Sequence, residues 1–268
     1  METIRIPVGA EAIISTSSKG DQSKWRIGDK WIKKNARSYE NTAESVASLI
    51  LQSTTRSPSQ YVTYTPCIIE EANGELSEGC YSLDFRGTQQ EVTLERLHEA
   101  NFTTTDSIVN NTRLSTVEKF NAIIEQIHGF TGLDITDGIA RMLAFDAFIL
   151  NEDRHTNNIL FLYNPPTKTW ELAPIFDNGL SLLSDIKDYP LGKPISVLKR
   201  LVRAKPFNSS FSKQLALYKG KPFINKDLLL QNIDNANFEM GRAKDVLLSQ
   251  LRDPQFNHLI IEGCDIDD

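Results

Sequence analysis

Along the first 35 residues apolar and polar positions alternate. Ile4, Ile6 and Val8 keep a period of two, and Ala12-Ile13-Ile14 follow, which predicts one or two opening strands. Trp25 and Ile27 alternate again, Gly28-Asp29 supply turn chemistry, and Trp31-Ile32 begin a return strand, so 24–34 predicts a hairpin with Lys33 near its end. The period then changes. From Tyr39 to Gln52, the residues Ala43, Val46, Ala47, Ile50 and Leu51 fall on one helical stripe, and Glu40 and Glu44 share a face four residues apart. Strand patterning returns over 61–71 and 78–86 around the turn Ala72-Asn73-Gly74, with Pro66 predicting an edge or a bulge. Beyond the polar stretch RGTQQ (86–90) the pattern is mainly helical: 91–100 with Thr93 as N-cap, 115–128 ending at Gly129, and 135–150, the most apolar of all. Residues 158–163 and 169–173 predict a hairpin about the turn Asn164–Lys168. Helices are predicted at 193–203, 209–219, 225–236 and 239–252, broken by Pro206 and by Gly220–Pro222.

A strand-rich part followed by a helical part predicts an α+β protein of two lobes, 1–88 and 89–268, divided in RGTQQ. With 268 residues, the chain can bury a sizeable core without staples. Cys67, Cys80 and Cys264 lack C-x-x-C spacing, which argues for reduced thiols, a cytoplasmic home and no structural zinc. No apolar run reaches the roughly 18 residues that a membrane span needs, and no basic segment near Glu2 marks a signal peptide. A net charge of -6 argues against a general nucleic-acid-binding surface and leaves one local basic patch, KRLVRAK at 199–205.

The chemistry is concentrated in 145–181, FDAFILNEDRHTNNILFLYNPPTKTWELAPIFDNGLS. Asp153 follows the most apolar helix, Asn158 comes five positions later, and Asp177 follows the hairpin and two apolar residues, Ile175 and Phe176. Phosphoryl transfer needs such an order: one carboxylate to orient or deprotonate the attacking hydroxyl, then an amide oxygen and a second carboxylate to hold Mg²⁺ against nucleotide phosphates. Asn178-Gly179 keeps D-x-G spacing with Asn in place of Phe. The remaining parts can be placed in the same frame. Lys33 would reach the phosphates of ATP from its strand end, and Glu44, rather than Glu40, would fix its ammonium, because Glu44 lies beside the packed stripe. The loop STSSKGDQSKW (15–25), with Ser17, Ser18 and Lys19, would cover the phosphates, although it lacks G-x-G-x-x-G. The backbone of Ser82, Leu83, Asp84 and Phe85 would be the hinge that holds adenine. Asp146, on the apolar stripe of 135–150, is expected to bind loop backbone rather than do chemistry.

FILNEDRHTNNILFL (148–162) and LAPIFDNGLSLL (172–183) resemble the HipA-like serine/threonine kinases, especially their shorter, CtkA-like bacterial members. WIK before a helix carrying A-E-x-x-A-S, GCYSLDF (79–85) and AKPFNSSF (204–211) extend the resemblance over most of the chain. The resemblance implies a bilobal protein-kinase-like fold, small antiparallel sheet first and helices after, that uses ATP and Mg²⁺. It implies Asp153 as acid/base, Asn158 and Asp177 as metal ligands, and transfer to Ser or Thr of a protein substrate. It further implies self-phosphorylation within Ser15–Ser18. The larger HipA toxins carry an extra N-terminal subdomain that is missing here, so an antitoxin-like partner is left open. The Asp-Arg-His order is also similar to phosphatidylinositol-type lipid kinases, which keeps a small-molecule or lipid kinase as an alternative. A nucleotide-binding pseudokinase without turnover is the other.

Overall fold

The early alternation becomes a six-stranded sheet. In the computed structural model, which describes residues 1–10, 12–14, 22–102 and 104–262, the elements follow in this order. The strands β1 (Glu2–Arg5), β2 (Ile13–Ile14), β3 (Ser23–Ile27) and β4 (Lys30–Lys34) precede helix α1 (Glu40–Gln52). Next come β5 (Thr65–Glu70), β6 (Leu76–Leu83), β7 (Gln90–Thr93), α2 (Leu94–Asn101), α3 (Asp106–Val109), α4 (Thr116–Thr131) and α5 (Thr136–Ile149). The rest are β8 (Leu160–Asn164), β9 (Thr169–Leu172), α6 (Ile195–Leu198), α7 (Phe211–Leu215), β10 (Ile224–Asn225), α8 (Lys226–Asp234), α9 (Gly241–Leu251) and β11 (Ile260–Ile261). Ser17, Ser18 and Lys19, expected over the phosphates, lie outside the described residues, as do Ser15, Thr16 and Cys264. Among the described residues no helix is long and apolar enough to cross a membrane.

The chain forms two compact units, one of Met1–Asp84, Asp177–Leu201 and Lys221–Asp268, the other of Phe85–Phe176 and Val202–Gly220. In the first, the strands lie in the order β1-β5-β6-β4-β3-β2. Within this sheet all pairs are antiparallel except β1 with β5; β10 and β11 pair separately, in parallel. One face buries Ile4, Ile6, Trp25, Ile32, Cys67 and Ile69. Helix α1 packs against β5 and β6, with α8 and α9 also against it. Gly79 on β6 leaves no room for a side chain: a Cβ there would stand 2.3 Å from the Lys33 carbonyl oxygen and 2.4 Å from Ile69 Cδ1. Pro66 is not on an edge strand, since β5 lies between β1 and β6. It is tolerated because pairing with β1 starts one residue later, at Cys67, so no partner asks for its missing N–H.

In the second unit β7, β8 and β9 form a three-stranded antiparallel sheet. Leu160, Leu162 and Ala173 make a cluster there, flanked by Phe85 and Phe176. Strand β7 precedes the helix capped by Thr93, whose Oγ1 accepts from the Arg96 N–H at 3.2 Å; local pattern gave no sign of the strand, which exists through its partner β8. Helix α4 runs through Gly129 and ends at Gly132, whose φ of 74° makes the left-handed cap. Helices α6 and α7 are single turns, shorter than their patterns predict.

Candidate active site

Within the first unit the cross-strand register explains a cluster of charges. Trp25 pairs with Ile32 and both turn into the core, so their neighbours Lys24 and Lys33, themselves a register pair, share the opposite face. Lys33 Nζ lies 2.8 Å from Glu44 Oε1 and 2.8 Å from Asp177 Oδ1, and Lys24 Nζ lies 3.4 Å from Asp177 Oδ2. Lys33 and Glu44 are buried. The Tyr64 ring stands under Lys33 Nζ at 4.5 Å. Two ammonium groups thus face two carboxylates. Burial alone would drive the Lys33 ammonium to lose its proton, but Asp177 and Glu44 outweigh it and hold its pKa well above the ordinary value. For Glu44, burial is the larger effect and raises its pKa, with Lys33 opposing.

Glu44 also ties this cluster to the segment carrying Asp177. Its Oε2 accepts from the Asn178 N–H at 2.9 Å, and the Asp177 N–H donates to the Tyr64 hydroxyl at 3.3 Å. Gly179 follows because a Cβ would meet Glu40 Cβ at 3.3 Å. Glu40, the other carboxylate on this helix face, caps the preceding loop through the N–H groups of Ala36, Arg37 and Ser38. Asp177, Leu182 and Leu183 all have positive φ, at 56°, 50° and 62°. Two leucines in that region are costly unless something holds them. Here the Tyr39 hydroxyl lies 2.8 Å from the carbonyl oxygens of both. The Arg242 guanidinium donates to Tyr39 Oη at 2.9 Å, to the Tyr189 carbonyl at 2.7 Å and to the Leu183 carbonyl.

In the second unit Asp153 and Asn158 belong to one tightly bonded loop. Leu150 ends α5 in the left-handed region, and the buried Asn151 follows. The Asp153 N–H donates to Asn151 Oδ1 at 3.1 Å, and Asn158 Nδ2 donates to the Asp153 carbonyl at 2.8 Å. Asp146 differs from the expectation of binding backbone: its carboxylate takes side chains instead. It accepts from Asn151 Nδ2 at 2.9 Å and from Arg154 Nε and Nη2 at 2.9 and 3.1 Å. Arg154 is fully buried, and its Nη1 donates to the carbonyls of Asn158 and Phe176 at 3.0 and 2.8 Å. A guanidinium satisfies both oxygens of a buried carboxylate, which loop N–H groups did not reach. Glu95 adds a further tether by accepting from Thr156 Oγ1 at 2.7 Å. Asp153 itself is buried, with Lys205 Nζ 3.2 Å from Oδ1 and His155 Nε2 3.8 Å from Oδ2.

The four hinge residues expected from sequence fall on both units. β6 outruns β5, whose pairing stops at Thr65 opposite Tyr81, while Ser82 and Leu83 still pair with Trp31 and Lys30 of β4. The Asp84 N–H donates to the Asp29 carbonyl at 2.7 Å and its carboxylate meets Arg26 at 3.1 Å. Phe85 stacks at a tilt on Phe176, centroids 5.9 Å apart. Asp177 in the first unit carries a carboxylate, and Asn158 in the second an amide oxygen whose Nδ2 is bonded to the Asp153 carbonyl; each is a hard oxygen donor of the kind that suits Mg²⁺. Among the described residues, no group of three or more His, Cys, Asp or Glu is placed to hold a metal ion by protein ligands alone.

The contacts of Lys24 with Asp177 in the first unit, and of Arg154 and Lys205 around the Asp153 loop in the second, were not anticipated. Lys24 was within reach of the alternation rule, because it stands beside Trp25 as Lys33 stands beside Ile32. Arg154 was within reach of the rule that a buried acid needs a partner. Lys205 was visible only as the end of the basic run 199–205, which says nothing of its pairing with Asp153.

The sequence matches no known protein family and no curated protein. The structure does have relatives. It is similar to the proinflammatory kinase CtkA of Helicobacter pylori, with a TM-score of 0.57 over 96% of this chain and 94% of that one, at 17% identity. It also aligns with HipA of Shewanella oneidensis, solved with HipB and operator DNA, at a TM-score of 0.47 and 10% identity over 92% of this chain and 58% of that one. The fold assignment rests on the first of these, which pairs the two chains almost end to end. The chain has an α+β, kinase-like fold of the kind seen in CtkA.

Proposed function

We propose that this protein is an ATP- and Mg²⁺-dependent kinase that transfers the γ-phosphoryl group to a Ser or Thr hydroxyl of a protein, its own chain included. The observation that carries this reading is the charge cluster of Lys24, Lys33, Glu44 and Asp177, built on the buried Lys33–Glu44 pair. Lys33 and Glu44 are buried and Lys24 and Asp177 partly so; burying a charge pair is expensive, and a hydrophobic replacement of the same volume is often at least as stable. A cluster of this kind is better accounted for by phosphate binding than by stability. We assign Lys33 and Lys24 to the nucleotide phosphates, Glu44 to holding Lys33, and the backbone of Ser82–Phe85 to adenine. We assign Asn158 and Asp177 to Mg²⁺, which when bound neutralises charge on the transferring group. The kinase-like fold supports the reading, as does the order Asp153, Asn158, Asp177 along the chain.

In the reaction Asp153 accepts the hydrogen bond of the acceptor hydroxyl. As that oxygen bonds to phosphorus, the bond from phosphorus to the β–γ bridging oxygen breaks, ADP leaves with the electron pair, and the hydroxyl proton passes to the Asp153 carboxylate. Asn151 and Asn158 hold the Asp153 backbone while this happens, and Arg154 holds the Asn158 carbonyl. The test is Asp153→Asn. Transfer of radiolabelled γ-phosphate to protein should fall by roughly 10²- to 10⁴-fold, with nucleotide affinity retained. Label transfer that survives the substitution removes Asp153 from this role, and label that reaches only small molecules favours a small-molecule kinase.

A further inference from the structure

The loop between α6 and α7 is fixed at almost every residue. The Ala204 N–H donates to the Ser209 carbonyl at 3.0 Å, and Asn208 Nδ2 donates to Thr116 Oγ1 at 2.8 Å. Gln214, fully buried on α7, donates its Nε2 to the Lys205 carbonyl at 2.8 Å and accepts from the Phe207 N–H at 3.0 Å. Phe207 is buried edge-on against Phe120 of α4, centroids 5.6 Å apart. Helix α7 packs in turn on α5, the helix that delivers Asp153. The backbone of Lys205 is therefore held from several sides without help from its own side chain.

That side chain, about one-third exposed at 35%, runs to the Asp153 carboxylate. A partly exposed ion pair adds little to stability, least of all in a loop already anchored by other groups. We propose that Lys205 is a further catalytic residue, which pairs with Asp153 and with the phosphoryl group in transit. This inference rests on the kinase reading above. The Lys205 ammonium lies 3.2 Å from Oδ1, and the Asp153 carboxylate receives the hydroxyl proton. The three-donor ammonium can turn to a non-bridging oxygen of the phosphoryl group while phosphorus exchanges the bridging oxygen of ADP for the acceptor oxygen. A cation here offsets the repulsion between the anionic base and the anionic phosphoryl group, which would otherwise keep the hydroxyl out of line.

The test compares the full-length protein with Lys205→Met and Lys205→Arg, following phosphoryl transfer, ATP affinity and thermal midpoint in parallel. Lys205→Met should lower kcat by roughly 10²-fold, as removal of one transition-state donor does, with the KM for ATP and the midpoint close to those of the parent. Lys205→Arg should recover part of the loss, because charge is what the role requires. If Lys205→Met turns over like the parent, the inference fails while the kinase reading stands. If kcat falls only in step with ATP binding or the midpoint, Lys205 is structural and the inference fails. Lys205→Arg no better than Lys205→Met counts against it as well. A parent protein that transfers no phosphate at all overturns both readings.

Discussion

Glu95 has one side chain and two attachments. Its carboxylate accepts from the Thr105 N–H at 3.2 Å and from the hydroxyls of Thr105 and Thr156, the last of which lies between Asp153 and Asn158. Burial alone would raise its pKa, but the hydrogen bonds from Thr105 and Thr156 outweigh that and leave it below the ordinary carboxylate value. A depressed folded value contributes stability that is complete above the unfolded glutamate value, about 4.3, and is lost as pH falls through the folded one. The thermal midpoint should therefore drop on acidification below about pH 4.3, and Glu95→Gln should remove part of that drop while lowering the midpoint at neutral pH. At this scale the sequence is uneven to read. Lys33 and Glu44 could be paired because each belongs to an element with a clear period. The Lys205 contact joins residues 52 apart through an irregular loop, where no period applies.

Elements that carry their own pattern were readable, and elements that owe their existence to a neighbour were not. The β3–β4 hairpin, α1 and α5 follow from alternation or a helical stripe. β7, β10 and β11 do not, since each is short and is made a strand by pairing with β8 or with one another. The segment 177–189 was legible as a motif but not as a shape. Its left-handed leucines depend on Tyr39, ahead of α1, and Arg242 on α9, which lie 143 and 59 residues from their partners. Arg242→Ala should thus leave the sheet intact and loosen this segment. Amide hydrogen exchange should rise over 180–189 and little elsewhere, and kcat should fall by roughly tenfold, the size expected when a positioning contact is lost. Uniform exchange across the chain would mean that Arg242 supports the whole unit instead.

For the whole molecule, the order of residues and the order of contacts disagree. The first unit takes Asp177–Leu201 and Lys221–Asp268 after the chain has left it for the second. Helix α1 depends on α8 and α9 for part of its packing, Lys33 takes part of its charge compensation from Asp177, and Glu44 accepts from the Asn178 N–H. Residues 1–88 expressed alone should accordingly show no cooperative thermal transition, whereas the full chain should; a sharp transition in the fragment would show that the later segments are dispensable. Composition and pattern gave the α+β class, because strand and helix periods are local, but this interleaving is not a local property of the chain.

The grip of Lys24 and Lys33 on Asp177 has one more consequence. On the roles proposed above, a divalent ion arriving alone would compete with two tethered ammoniums for the same oxygens, and a nucleotide arriving alone would find those ammoniums already engaged. Each ligand releases what the other requires, so the pair should enter with mutual reinforcement that neither possesses separately. The resting protein would then ignore stray magnesium and respond to the metal–nucleotide complex.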